Sequence, residues 1–274
     1  MSKTLYLSDL DGTLLNKSGG LSDFSRDKLN EMIRSGLNFS VVTGRRITTS
    51  KFVLSALDLK LPIAVMNGAV IFDLLNDECL QSFYLPKNTI SVIIDTVKKY
   101  KNTCFMDEFK NNDLVVYHEA LTNERDRGFV AERKRQVNMS FEQLDSLYDA
   151  GSDNKISFSI LGGHDLVKPV CDTLNKEPGL SCTFYKDVYN SDLWYLEVYS
   201  ANATKGTAVS YYRDKLNFDK IVCFGDNLND MPMFHAADVK VCVENSMAEV
   251  LETADFVCGK SYEDGVVKWL MDRG

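Results

Sequence analysis

The sequence predicts an α/β protein: a doubly wound parallel-sheet core built from residues 1–83 and 192–274, with an α+β domain inserted over residues 84–191. Three observations predict it. Apolar strand signals alternate with amphipathic helix signals over residues 5–66, the same alternation returns over residues 204–271, and the texture between them changes to short paired strands. Strand–helix–strand alternation is the pattern of a parallel sheet with helices on its faces.

The first strand is the apolar run 5–9. Residues 22–35 carry Phe24, Leu29, Met32 and Ile33 at helical spacing and stop at Gly36. A strand rich in β-branched residues follows over 39–43, then a helix over 48–57, and Pro62 introduces the strand 63–66. Strands at 70–73 and 80–84 then flank the turn-like Asn76-Asp77. Pro86 opens a helix with Ile90, Ile93, Ile94 and Val97 on one face. Strands at 103–105, 114–117, 156–161 and 181–185 follow, with helices near 124–136 and between the last two strands. The C-terminal rhythm is helix 204–216, strand 220–224, helix 228–237, strand 239–243, helix 246–253, a short strand near Phe256 and a helix ending at Met271. An insert of this kind is tolerated in a surface loop. Its expected hinges are residues 84–86, marked by a proline, and 189–192, an Asn-Ser-Asp turn.

Composition narrows the function. The chain has 274 residues, 45% of them apolar and 26% charged, which suits an ordinary folded protein rather than a disordered or fibrous one. Its net charge of −8 is the wrong sign for a nucleic-acid binder. No apolar run is long enough to span a bilayer, and the N-terminal residues lack a signal-peptide pattern, so a cytoplasmic protein is expected. The acids are 26 Asp against 13 Glu, a bias towards loops, caps and metal chemistry. Seven widely spaced cysteines never form C-x-x-C and several sit in apolar runs, which reads as buried thiols. Three scattered histidines do not make a zinc site.

In a doubly wound sheet the ligand lies beyond the carboxyl ends of the strands. Those ends read Asp9-Leu10-Asp11-Gly12-Thr13-Leu14, Thr43-Gly44-Arg45, Asn67-Gly68 and Gly225-Asp226-Asn227-Leu228-Asn229-Asp230. They present carboxylates, a hydroxyl, amides and small residues that bare the backbone. Phosphoryl transfer needs these groups: oxygen ligands for a divalent cation and donors around a trigonal PO₃ group. The G-x-x-x-x-G-K-[ST] and G-x-G-x-x-G patterns are absent. The competing reading, aspartates that merely cap the following helices, explains each cluster singly and not their recurrence at successive strand ends.

On these residues the chain resembles the haloacid dehalogenase superfamily, and within it the Cof-type phosphatases, which pair a Rossmann-like core with a large inserted cap. The resemblance rests on Asp9-Leu10-Asp11-Gly12-Thr13-Leu14-Leu15, Thr43-Gly44-Arg45, Asn67-Gly68-Ala69, Lys205-Gly206, Gly225-Asp226-Asn227-Leu228-Asn229-Asp230-Met231, Ala254-Asp255 and Glu263-Asp264-Gly265-Val266. Glu244-Asn245-Ser246 stands where the family has Gly-Asn-Ala, keeping the Asn. The resemblance implies Asp9 as nucleophile and Asp11 as general acid and base. It implies Mg²⁺ held by Asp9, Asp11 (through its carbonyl) and Asp226, with Asp230 orienting metal-bound water. Leu10, Thr43, Gly44, Lys205 and Asn229 would hold the phosphoryl group, with Asn67 and Arg45 in support. A lysine in the first turn of a helix opposes the helix dipole, which favours a functional reading of Lys205. Arg45 is open between a substrate contact and an ion pair with an acidic residue.

The function expected is a Mg²⁺-dependent phosphatase of small phosphorylated metabolites, sugar phosphates first, acting as a monomer without nucleic-acid or membrane partners. The alternatives are a sugar phosphomutase and a non-catalytic phospho-ligand binding protein. The basic runs Arg125-Asp126-Arg127 and Arg133-Lys134-Arg135, interleaved with Glu124 and Glu132, read as a solvated helix face rather than an anion site.

Overall fold

The computed structural model describes residues 3–110, 113–137, 139–187 and 192–273. The chain opens with β1 (Thr4–Ser8), α1 (Asp23–Arg34), β2 (Phe39–Val41), α2 (Ile47–Leu54), β3 (Ile63–Val65), β4 (Val70–Asp73) and β5 (Glu78–Ser82). Next come α3 (Lys87–Lys99), β6 (Cys104–Lys110), β7 (Asp113–His118), α4 (Glu124–Val137), β8 (Ser140–Gln143), β9 (Lys155–Gly162), α5 (His164–Leu174), β10 (Leu180–Lys186) and β11 (Trp194–Ser200). It closes with α6 (Lys205–Leu216), β12 (Lys220–Gly225), α7 (Met231–Ala236), β13 (Val239–Val243), α8 (Ala248–Leu251), β14 (Phe256–Cys258) and α9 (Gly265–Arg273). These elements form two compact units, Met1–Gln81 with Thr204–Gly274, and Ser82–Ala203.

The first unit is built on a parallel sheet of order β14-β13-β12-β1-β2. A parallel bridge from Val42 to Ala64 continues it to β3, which begins the antiparallel β3-β4-β5 ladder. Each helix exists for a local reason. The Ser22 side chain accepts the Ser25 amide at the start of α1, which buries Leu29 and Ile33 and ends before Gly36. On one face of the sheet, Leu5, Leu7, Ile221 and Cys223 pack with Val209 and Tyr212 of α6 and with Phe234 of α7. On the other, Phe224 meets Trp269 of α9 edge-on, ring centroids 5.2 Å apart. Among the described residues no helix is long and apolar enough to cross a membrane.

The second unit is a six-stranded sheet of order β10-β11-β9-β6-β7-β8, antiparallel except for β7 beside β8. Helices α3 and α5 bury Ile93, Ile94 and Val170 against Met106, Phe158 and Ile160. Phe129 and Val130 of α4 lie with Phe105 and Leu161 on the opposite face. The basic runs sit on α4, where the Arg133 guanidinium covers the Phe129 ring and the Lys134 ammonium the Phe141 ring. Asp126 within them is fully buried, its amide and carboxylate both bonded to the Asn123 side chain.

The structure departs from the sequence reading in two places. The strand expected over 103–105 runs on to Lys110, because Asp107 and Glu108 are buried with partners: Ser157 Oγ donates to Asp107 at 2.5 Å and Lys155 pairs with Glu108. Charges that read as a strand end are instead neutralised across β6 and β9. The second crossing between units falls at 203/204 rather than 191/192, since β11 pairs with β9 and β10 along its whole length. Of the expected hinge at 189–192, residues 189–191 lie outside the described residues.

The Lys155–Glu108 pair is enclosed, with side chains 1% and 6% exposed. Removing one partner strands a buried charge, a loss of about 3–5 kcal/mol, whereas replacing both with apolar residues can be neutral. Lys155→Met should lower unfolding stability of this unit by that amount, and Lys155→Met with Glu108→Leu should recover most of it. Urea melts followed by Trp194 fluorescence in a Trp269→Phe background read this unit alone.

Candidate active site

All the site residues named from the sequence lie in the first unit. β1 and β12 are parallel neighbours with Ser8 opposite Phe224, so Asp9 and Asp226 leave the sheet at the same edge. It is also the switch point of the sheet. From β1 the chain winds to β2 and β3 on one side, and from β12 to β13 and β14 on the other, which opens a crevice at the carboxyl ends. The Asp9 amide donates to the Phe224 carbonyl at 2.9 Å, fixing the nucleophile candidate as a continuation of the ladder.

Lys205 enters this crevice from the first turn of α6, which Thr204 caps by accepting the Thr207 amide at 3.0 Å. The lysine is 1% exposed; its ammonium lies 2.7 Å from Asp9 Oδ1 and 2.6 Å from Asp230 Oδ1. Asp230 Oδ2 accepts the amides of Asp226 and Asn227 at 2.9 and 3.0 Å. Both Asp230 oxygens are thus engaged. These contacts anchor Lys205 and close the 225–230 turn.

Asp226 is held from the β1 side, where Thr13 Oγ1 donates to its Oδ1 at 2.7 Å. Gly12 has φ of +81°, and a Cβ there would stand 2.4 Å from Asp226 Oδ2, so only glycine lets the two loops meet. Asn245 keeps its family position with a purpose: its Nδ2 donates to the Gly12 carbonyl at 2.9 Å and its Oδ1 accepts the Ser261 amide at 2.8 Å. Thr13 is a site residue that spacing alone does not disclose, although D-x-D-x-T contains it.

Oxygens of Asp9, Asp226 and Asp230 lie within 4.8 Å of one another. Burial pushes the Asp9 carboxyl up to about 8; Lys205 opposes this, while Asp230 and Asp226 add to it. Burial likewise pushes Asp226 up to about 6, against the Thr13 hydrogen bond and the pull of Lys205. Burial alone would lower Lys205, but Asp230 and Asp9 outweigh it and hold the ammonium well above its usual range. Three carboxylates therefore share one cation. This deficit of positive charge and an all-oxygen donor set fit a hard divalent ion such as Mg²⁺ and do not fit zinc.

Asp11 faces away from this cluster. Its carboxylate takes a two-point contact from Arg45, Nε to Oδ2 at 2.7 Å and Nη2 to Oδ1 at 2.6 Å, and remains 55% exposed. Of the two readings open for Arg45, the structure shows the ion pair. Thr43, 1% exposed, accepts the Arg45 amide at its Oγ1, and its hydroxyl proton remains to be donated. The Leu10 side chain is fully buried, which leaves its main chain as the only part able to meet a ligand. Asn229 Nδ2 donates to Asn67 Oδ1 at 3.2 Å, and the Asn67 carboxamide lies against Gly44.

Residues 6–270 match the family model of haloacid dehalogenase-like hydrolases. Two relatives from Bacillus subtilis are 5-amino-6-(5-phospho-D-ribitylamino)uracil phosphatases, YcsE and YwtE. The first is 28% identical, covering 96% of this chain and 93% of its own, and the second 25% identical, covering 96% and 95%. A crystal structure of a haloacid dehalogenase-like hydrolase from Bacteroides thetaiotaomicron superposes with a TM-score of 0.80 at 18% identity, over 99% of both chains. With a switch-point crevice that carries the family's acidic cluster and lysine, this chain belongs to the haloacid dehalogenase-like hydrolases. The relatives named above are phosphatases within this family, hydrolases of phosphoric monoesters.

The Arg45 contact generates a prediction. If Asp11 delivers a proton to the leaving group, freeing it by Arg45→Ala should cost about 10- to 100-fold in kcat on an alkyl phosphate, part of the 10²–10⁴ that proton transfer supplies. Loss on p-nitrophenyl phosphate should be much smaller, because nitrophenolate departs without protonation. Equal losses on both substrates would detach Arg45 from the proton-transfer step.

Proposed function

We propose that this protein is a Mg²⁺-dependent phosphatase of small phosphorylated metabolites, sugar phosphates among them, working through a phosphoryl group carried on Asp9. The observation that carries the reading is the buried Lys205 bridging Asp9 and Asp230 beside the Asp226 carboxylate. A lysine so placed holds one Asp9 oxygen, leaving the other to attack phosphorus, and keeps a third N–H for a phosphoryl oxygen.

Asp9, Asp226 and the Asp11 carbonyl would hold Mg²⁺, which supplies the charge that lets two anions approach. The rest falls to the chain itself. Asp9 attacks; Asp11, aimed by Arg45 and protonated for this step, gives its proton to the leaving alkoxide and then, as the carboxylate, takes one from the water that cleaves the acyl phosphate on Asp9. Lys205, the Thr43 hydroxyl, the Leu10 and Gly44 amides and Asn229 surround the transferring group. Cooperation is needed, since phosphate-monoester hydrolysis calls for accelerations of up to about 10²¹ and a proton-transfer pair alone supplies about 10²–10⁴. The ribitylaminouracil phosphatase relatives support a small substrate with a phosphorylated polyol arm. Choice among such metabolites is assigned to the Ser82–Ala203 unit.

Phosphate release from a panel of sugar and polyol phosphates should be steady without a bisphosphate activator, which a phosphomutase would need. It should stop in excess EDTA and return with Mg²⁺; activity undiminished by EDTA overturns the metal assignment. Asp9→Asn should fold and lose turnover by several orders of magnitude, and BeF₃⁻ should be trapped on Asp9. An adduct on Asp11 would reverse the two roles.

A further inference from the structure

Between β3 and β4 three successive residues, Met66, Asn67 and Gly68, have positive φ: +53°, +55° and +88°. A left-handed methionine is strained, and such strain persists only where surrounding contacts over-determine it. Here they do. The Met66 amide donates to the Arg45 carbonyl and the Asn67 amide to the Thr43 carbonyl, both at 2.9 Å. Gly68 lies so close to the start of α6 that a Cβ on it would stand 2.2 Å from the Thr204 carbonyl oxygen. The turn is clamped between the Thr43–Arg45 loop and the residue that precedes Lys205.

The clamp delivers one side chain. Asn67 is 8% exposed, and its carboxamide flanks Gly44: Oδ1 and Nδ2 lie 3.2 and 3.6 Å from where a Gly44 Cβ would be. Its Oδ1 accepts Asn229 Nδ2 at 3.2 Å, which orients the carboxamide and leaves Nδ2 as a donor. Among the described residues Nδ2 has no hydrogen-bond partner. Nor is it sealed in: among the described residues the sealed side-chain atoms without partners are Ser50 Oγ and Trp269 Nε1. A donor that is neither paired nor sealed is placed to meet an acceptor that enters the crevice.

We propose that Asn67 donates its Nδ2–H to an oxygen of the phosphoryl group, as a catalytic residue in its own right, while its Oδ1 holds Asn229 in place. The inference rests on the reading of Gly44 and Asn229 as phosphoryl-facing. A neutral donor suits this position, because the transferring group spreads its charge over three equatorial oxygens and Lys205 reaches only part of them. The strained turn then has a purpose: it is the backbone geometry that brings a β3–β4 side chain between Gly44 and Asn229.

Two variants test this in the full-length protein. Asn67→Asp is nearly isosteric, tolerates positive φ and keeps the acceptor for Asn229, but turns an anion towards the phosphoryl group. Asn67→Gly removes the carboxamide and relieves the strain. The readouts are kcat and KM on p-nitrophenyl phosphate, with inhibition by orthovanadate, and equilibrium binding of inorganic phosphate. Asn67→Gly should lose about 10²-fold in kcat, as for a single oxyanion donor, with vanadate inhibition weakened by a similar factor, KM changed less and melting temperature retained. Asn67→Asp should lose more of each. Unchanged vanadate and phosphate affinity in both variants overturns the proposal, whatever happens to stability. Absence of turnover in the wild type would instead sink the phosphatase reading. The phosphate-binding arm then still decides Asn67, weaker binding by Asn67→Asp supporting the contact and equal binding overturning it.

Discussion

The first unit is organised around a charge that should not be buried. Lys205 is 1% exposed, and taking an ammonium out of water costs several kcal/mol unless paired charges and well-aimed hydrogen bonds replace the lost hydration. Asp9 and Asp230 supply that replacement from the ends of two neighbouring strands. The lysine can satisfy both only if β1, β12 and the start of α6 converge, so the ion triad fixes the relative position of the three elements. Asp230 is committed further, through two backbone amides, to the turn that presents Asp226. Neutralising one of these groups would leave the others buried and uncompensated.

The same triad sets the chemistry. Two carboxylates on one lysine, with a third beside them, leave an excess of negative charge in a low-dielectric crevice. Burial, with the Asp230 and Asp226 charges adding to it against the pull of Lys205, raises Asp9 to about 8. The Lys205 ammonium opposes this rise, and further positive charge beside the three carboxylates would oppose it more. In the proposed reaction Asp9 acts as the carboxylate, the form that burial disfavours and that a divalent cation beside it would favour.

Much of this unit is legible in the sequence because its signals are local and repeated: a β-branched run, then a small or acidic residue at the strand end, then an amphipathic helix. The contacts that select roles are not local. Arg45 and Asp11 are 34 residues apart, and Asn67 and Asn229 are 162 apart. No spacing rule links such pairs, so the ion pair of Arg45 and the tethering part of Asp230 needed coordinates. In the second unit the failures are of another kind. Asp107 and Glu108 lie inside a strand because their partners are on β9, and charge in an apolar run reads as an ending. Trp194–Ser200 carries large residues at both parities, and its sequence neighbours on the C-terminal side belong to the first unit, which draws the boundary too early.

The two aspartates of the first motif show how a fold separates roles that the sequence places side by side. Asp9 and Asp11 are chemically identical and two residues apart, yet the chain gives them opposite surroundings. Asp9 ends the ladder, is 5% exposed and meets an ammonium; Asp11 follows as the chain enters a tight turn, is 55% exposed and meets a guanidinium. The turn is the cause. Gly12 at φ of +81° reverses the chain directly after Asp11, so Thr13 returns to Asp226 while the Asp11 carboxylate swings outward to Arg45. In the proposed reaction one carboxylate must be desolvated to attack phosphorus and the other must exchange protons with a leaving group and then with water. Those demands exclude each other in a single environment. A pair of groups pushed apart by their surroundings is how one site runs nucleophilic and proton-transfer chemistry together. Here a single glycine, admitted because no side chain fits against Asp226, produces the separation.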